Sequence, residues 1–209
     1  MKIHLQRLTN ERVDMTLLVL GLIIFIGTHS LRIFADGWRS QMVMKMGEMP
    51  WKGLVSVLSL VGFVLLVSGY SAARQAPVVL WQLPFWISHL VSLLMLVAFI
   101  LLLAAYIPGN GIKTRLGHPM VISVKIWAFS HLLANGTLAD LILFGGFLAW
   151  AVMSFRAARK RDKAAGVVRG KGDLLKTMIT VVLGALAWVW FVFQGHAWLI
   201  GVRPIVMGS

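Results

Sequence analysis

The chain contains no cysteine. That excludes disulfides, thiolate metal sites, iron–sulfur clusters and covalent c-type haem attachment, so a metal must use His, carboxylate or Met, or arrive within a cofactor. Charge is also scarce, at 13% of residues, and acids number only seven. Against this, 59% of the 209 residues are hydrophobic and the mean hydropathy is +0.84. A soluble domain of this length could not cover so much apolar surface, so the surrounding medium is largely lipid. The net charge of +13 falls mainly between apolar stretches and not along one polar face, which reads as membrane topology; nucleic acid is not an expected partner. The polar start "MKIHLQRLTNERV" precedes a stretch too long for a signal-peptide core, so no cleavable signal is expected. No internal repeat is present, which removes the argument for an inverted-repeat transporter.

Six apolar stretches are candidates to span, over 14–35, 52–73, 85–107, 119–135, 137–156 and 174–200, each needing about 20 residues. The fourth is the shortest and most polar, and "ANGT" turns it into the fifth. Fourteen Lys and Arg lie on one side: Arg32, Arg39, Lys45, Lys52, Lys113, Arg115 and eight from Arg156 to Lys176. Five lie on the other, namely Lys2, Arg7, Arg12, Arg74 and Arg203, with Lys125 inside a span. The expected fold is therefore an all-α integral membrane protein, a six-helix transmembrane bundle with both termini on the non-cytoplasmic side. It forms one domain over 1–209, with a polar tail at 1–13 and a basic cytoplasmic loop at 156–173, read as a solvated segment that touches lipid headgroups, with an anionic-lipid or nucleic-acid site as the alternative.

Ionisable side chains inside spans are expensive and so point to function. Five histidines fall there: His29, His89, His118, His131 and His196. His131 has Trp127 four residues before it and Asn135 four after, which aligns an aromatic, an imidazole and an amide on one helical face. That stripe suits a cofactor ligand with supporting neighbours, or a histidine bonded to an adjacent helix. His29 precedes Arg32 by three residues, an imidazole for haem iron beside a guanidinium for a propionate, or else an interfacial Arg with a capping His. His118 stands before Pro119, and proline favours the first helical position, so His118 marks the helix start. It lies about 140° round the helix from His131, and serves as propionate partner, helix-start residue or second ligand. Lys125, on nearly the same face as His118, could snorkel, pair with Asp140 or reach a propionate. His89 and His196 sit near Trp86 and Trp198, where interfacial belts collect such residues; His196 remains open as a cofactor contact. Small residues at Ser56, Ser59, Gly62 and Gly69, and at Gly145, Gly146 and Ala149, suit close helix packing.

The segments "FIGTHSLR", "WKGLVSVLSLVGFVLLVSGY", "AAYIPGNGIKTRLGHPM", "KIWAFSHLLANGTLADLILFGGFLAWA" and "HAWLIGVRP" resemble the NnrU family of bacterial membrane proteins, from about Leu20 to Pro204. That family is associated with nitrite and nitric oxide reductase genes, and it is similar to the 15-cis-ζ-carotene isomerase, a haem b membrane enzyme. The resemblance implies axial haem ligands at His29 and His131, with His118 the additional motif histidine. Ala128 stands where the isomerase has a cysteine, so its redox-linked ligand exchange does not carry over. On helix rise alone the α-carbons of His29 and His131 differ in depth by roughly 9 Å, which one haem tolerates only with tilt or slip, and a two-haem arrangement stays open. The implied function is a haem b protein of nitrogen-oxide metabolism in the bacterial inner membrane, acting by electron transfer or ligand binding, with membrane lipid and a redox partner. The alternatives are a haem-dependent isomerase of a carotenoid or other isoprenoid, and a cofactor-free assembly or transport factor. No carboxylate joins the histidines at a clear ligand spacing, so a bare metal ion fits less well than haem.

Overall fold

A computed structural model describes residues 2–84 and 86–204, with the backbone alone for 2–13. The described residues are helical, with isolated bridges and no strand. The helices are α1 (Lys2–Phe34), α2 (Asp36–Met46), α3 (Glu48–Ala73), α4 (Ile87–Tyr106), α5 (Gly111–Leu116), α6 (Pro119–Ala134), α7 (Leu138–Ala164), α8 (Leu174–Trp190) and α9 (His196–Ile200), with a π-helical turn, Phe191–Gly195, between the last two. Five segments are long and apolar enough to cross a bilayer: Asp14–Phe34, Glu48–Ala73, Ile87–Tyr106, Leu138–Ala164 and Leu174–Ile200. Few of their side chains are fully buried, as lipid-facing helices require. The chain is thus a multi-pass membrane protein. The sixth expected span is α6, apolar but only 16 residues long.

Boundaries differ from expectation where helix propensity outlasts hydrophobicity. The helix expected to end at 156 runs on to Ala164, because "RAARKRDKA" is rich in good helix formers. It stops at Gly166, φ +60°: Gly166 N–H donates to the Lys163 carbonyl and Val167 N–H to that of Asp162. This double bond with a left-handed glycine is a Schellman turn. The expected start of the third span, Phe85, and the charged side chains of the polar tail, Lys2, Arg7 and Arg12, lie outside the described residues. Helices α2 and α5 fall in segments read as loops.

The chain forms two compact units. The first comprises residues up to Gln82 with Gly136–Trp150. Its centre is the α1/α3 pair, which glycines bring into backbone contact. A Cβ on Gly69 would stand 2.3 Å from the Leu18 nitrogen, and one on Gly21 the same distance from that of Leu66. Of the small-residue stripe on α3, Gly62 and Gly69 are buried in this crossing, whereas Ser56 is exposed. The start of α7 packs on α1, with Gly146 against Leu22 and Phe147 5.8 Å from Phe25 between ring centroids.

The second unit comprises Leu83–Asn135 and the chain from Ala151 onward. Here α4 packs against both α6 and α8. Gly184 lets α8 approach Ile100, and the Ser123 hydroxyl donates to the Ala98 carbonyl, 2.7 Å. The loop after α4 is pinned by Asn110, which is 0% exposed. Its amide donates to the Ala104 and Ile107 carbonyls, and its oxygen accepts from Lys113 N–H, 2.8 Å, to cap α5.

Candidate functional site

His29 belongs to the first unit, on the last two turns of α1. Its Nδ1 lies 2.7 Å from the Phe25 carbonyl, one turn back. A carbonyl only accepts, so Nδ1 carries a proton, and in the neutral ring the lone pair is on Nε2. The ring stacks on Phe25, 4.4 Å between centroids, and meets Trp150 edge-on at 6.3 Å. Arg32 follows on the same helix and is exposed.

His131 belongs to the second unit and repeats that arrangement. Its Nδ1 lies 2.8 Å from the Trp127 carbonyl, so Nδ1 again donates. Trp127 packs its ring on the imidazole at 5.2 Å. The expected stripe holds for these two members and changes for the third. Asn135 sends its side-chain amide to the His131 backbone carbonyl, 3.0 Å, and its own N–H to the same oxygen, 2.9 Å. It caps the end of α6 and does not reach the ring.

His118 does what the following proline implies: it is the N-cap of α6, with Pro119 at the first helical position. Its Nε2 donates to Asp162 Oδ2 at 2.7 Å, the reverse of the tautomer at His29 and His131. Arg169 also donates to Asp162 Oδ2. The Schellman turn at Gly166 brings Arg169 back to the carboxylate seven residues before it. Gly117, φ +79°, makes room: a Cβ there would stand 2.6 Å from the guanidinium carbon of Arg169. Phe155 lies edge-on to His118 at 6.3 Å, and the Lys125 ammonium sits 4.4 Å from the Phe155 ring centroid. Lys125 and His118 thus share one aromatic neighbour, as their seven-residue spacing on one face leads one to expect.

His196 directly follows the π-helical turn, and its Nδ1 lies 2.6 Å from the Val202 carbonyl, tying the last helical turn to the chain beyond. His89 is exposed in the first turn of α4.

Asp140, weighed from the sequence only as a partner for Lys125, is the most buried acid described, 4% exposed. Its Oδ2 accepts from Thr137 N–H, 2.9 Å, and the Thr137 hydroxyl, 2.6 Å, and its Oδ1 from the Tyr70 hydroxyl, 2.6 Å. Its own N–H returns to the Thr137 hydroxyl, 3.2 Å, so Thr137 and Asp140 form a reciprocal capping box at the start of α7. Thr-Leu-Ala-Asp in the sequence carries that signal. The chain around Gly136 is held as well, its carbonyl accepting from Leu80 and Trp81 N–H.

Among the described residues no group of three or more His, Cys, Asp or Glu could hold a metal ion. A bare ion takes three or four protein ligands, whereas haem iron takes one or two. An apolar groove of about 450 Å³ runs along α1 in the first unit, lined by Leu22, Ile26, Ser30, Phe34 and Gly146 among others, and His29 is not part of its wall.

No curated protein and no solved structure matches the chain. A profile of the NnrU protein family matches residues 17–204, nearly the whole chain. Two compact helical units, apolar segments long enough to cross a bilayer, and a match that runs through all of them make this chain a member of the NnrU family.

Proposed function

We propose that the protein is a multi-pass haem b protein of the bacterial inner membrane, working in nitrogen-oxide metabolism by electron transfer or ligand binding, with His29 and His131 as imidazoles that would hold haem. The observation that carries this reading is a shared bond, from Nδ1 to the carbonyl four residues back on the same helix. At both residues Nδ1–H is committed to the carbonyl one turn back, which orients the ring and makes Nε2 the nitrogen that would take iron. Phe25 and Trp150 at one ring, and Trp127 at the other, wall the imidazoles with aromatic surface. Bound haem would supply a one-electron couple and, where iron keeps an open position, a site for nitric oxide. His118, with Nε2 already donating to Asp162, serves as helix cap and not as a ligand.

The same proposal takes α6 as a sixth crossing. Its 16 residues reach about 24 Å. The non-helical residues at its two ends, His118 and Asn135, add about 3 Å each, close to the core thickness of about 30 Å. With six crossings the excess of Lys and Arg faces the cytoplasm and both termini lie outside.

Purified protein reduced with dithionite should show sharp α and Soret bands. The variants His29→Ala and His131→Ala should each shift the bands or lower haem content, and His118→Ala should leave them in place. Unchanged spectra in both ligand variants would refute the assignment. A reporter active only outside the cytoplasm, fused after Ser209, should be active; silence there would place the C-terminus in the cytoplasm and refute this topology.

A further inference from the structure

The basic end of α7 carries a cleft of about 540 Å³ lined by Arg159, Lys160, Asp162, Lys163, Gly166, Val167 and Arg169. A carboxylate would ordinarily weaken such a cleft for an anion. Here Asp162 is already taken by Arg169 and His118, so its charge is compensated locally. Arg159, Lys160 and Lys163 remain. All three are exposed, they share one helical sector through their three- and four-residue spacings, and no ion pair engages them among the described residues. Beside these cations the chain turns out apolar: Val167 is exposed and Val168 is 92% exposed, and Leu174 and Leu175 at the start of α8 are exposed as well.

Three free cations next to bare aliphatic side chains, at the end of a membrane-length helix, match a ligand that is both anionic and apolar. We propose that this cleft binds the phosphate headgroup of an anionic phospholipid, with Val167 and Val168 entering the acyl layer beside it. Free phosphate or nucleic acid would use the cations and leave the valines in water. The Schellman turn at Gly166 is what sets the two groups side by side, because it reverses the chain directly after Lys163. The Asp162 contacts with Arg169 and His118 hold that reversal in place. This site shares no residue with the proposed haem ligands and stands or falls independently of them.

The test is retention of lipid by the full chain in detergent, read by native mass spectrometry with phosphatidylglycerol or phosphatidylcholine. Phosphatidylglycerol should be held preferentially. The double variant Lys160→Gln/Lys163→Gln, on exposed positions that leave the fold intact, should weaken that retention about 25-fold, at about fivefold per cation near a lipid headgroup. Val168→Ser should also weaken it. Equal retention of the two lipids, or unchanged retention in the double variant, would overturn the site. Displacement by inorganic phosphate or an RNA oligonucleotide at lipid concentration, with Val168→Ser silent, would overturn the lipid assignment.

Discussion

Two aspartates, one in each compact unit, solve the problem of a carboxylate in an apolar protein by different means. Asp140 is buried and gathers neutral donors: a tyrosine hydroxyl, a threonine hydroxyl and a backbone N–H. Asp162 is less buried, at 19% side-chain exposure, and gathers an imidazole and a guanidinium. The difference follows from solvent. Away from water, a carboxylate must have its lone pairs filled, and neutral donors do this without a second desolvated charge. Near the surface, water shares the load, and a cation is cheap to hold but contributes little. Asp140 is therefore a fold determinant, and Asp162 a positioning device for the chain around Gly166.

Removing each acid is the most direct way to break this comparison. Asp140→Ala leaves the Tyr70 hydroxyl and the Thr137 N–H without their acceptor and strips α7 of its capping box. It should destabilise the protein by about 3 kcal/mol or more, read as loss of the folded fraction in a detergent unfolding titration. Tyr70→Phe removes one bond to the same carboxylate and should cost about 1.5 kcal/mol in that assay. Asp162→Asn should have the smallest effect, with unfolding nearly unchanged, while proteolytic cleavage within 165–172 speeds up because Arg169 is no longer held. A rank order with Asp162→Asn as the most damaging would invert the assignment of roles.

A second contrast sits at the histidines. His29 and His131 direct Nδ1 to the carbonyl four residues back, whereas His118 directs Nε2 across 44 residues to Asp162. The local bonds follow from helix geometry and the i, i−4 relation. His118 as helix start was likewise legible, since Pro119 restricts the residue before it. Its partner was not: nothing in "LGHP" points to an aspartate within a run of arginines and lysines. The fate of Asn135 was missed for the opposite reason. Helical spacing put its amide on the imidazole face, but the helix ends at Ala134, and an Asn just past a terminus bonds the free carbonyls. The capping box is legible in Thr-Leu-Ala-Asp, and Asp140 takes its bonds from Thr137 and Tyr70, while the Lys125 ammonium lies over Phe155.

Hydropathy and charge distribution by themselves determined that this is a helical membrane protein and where most of its long helices run. Those properties are sums over many residues, and lipid selects on the sum. Which glycines let backbones touch, why Asp140 lacks any cationic partner among its hydrogen bonds, and how Arg169 folds back onto Asp162 were decided only by the tertiary structure. Each is a contact between one or two atoms, made by residues far apart in the chain or reversed by a single left-handed glycine, and no running average of hydrophobicity carries that information.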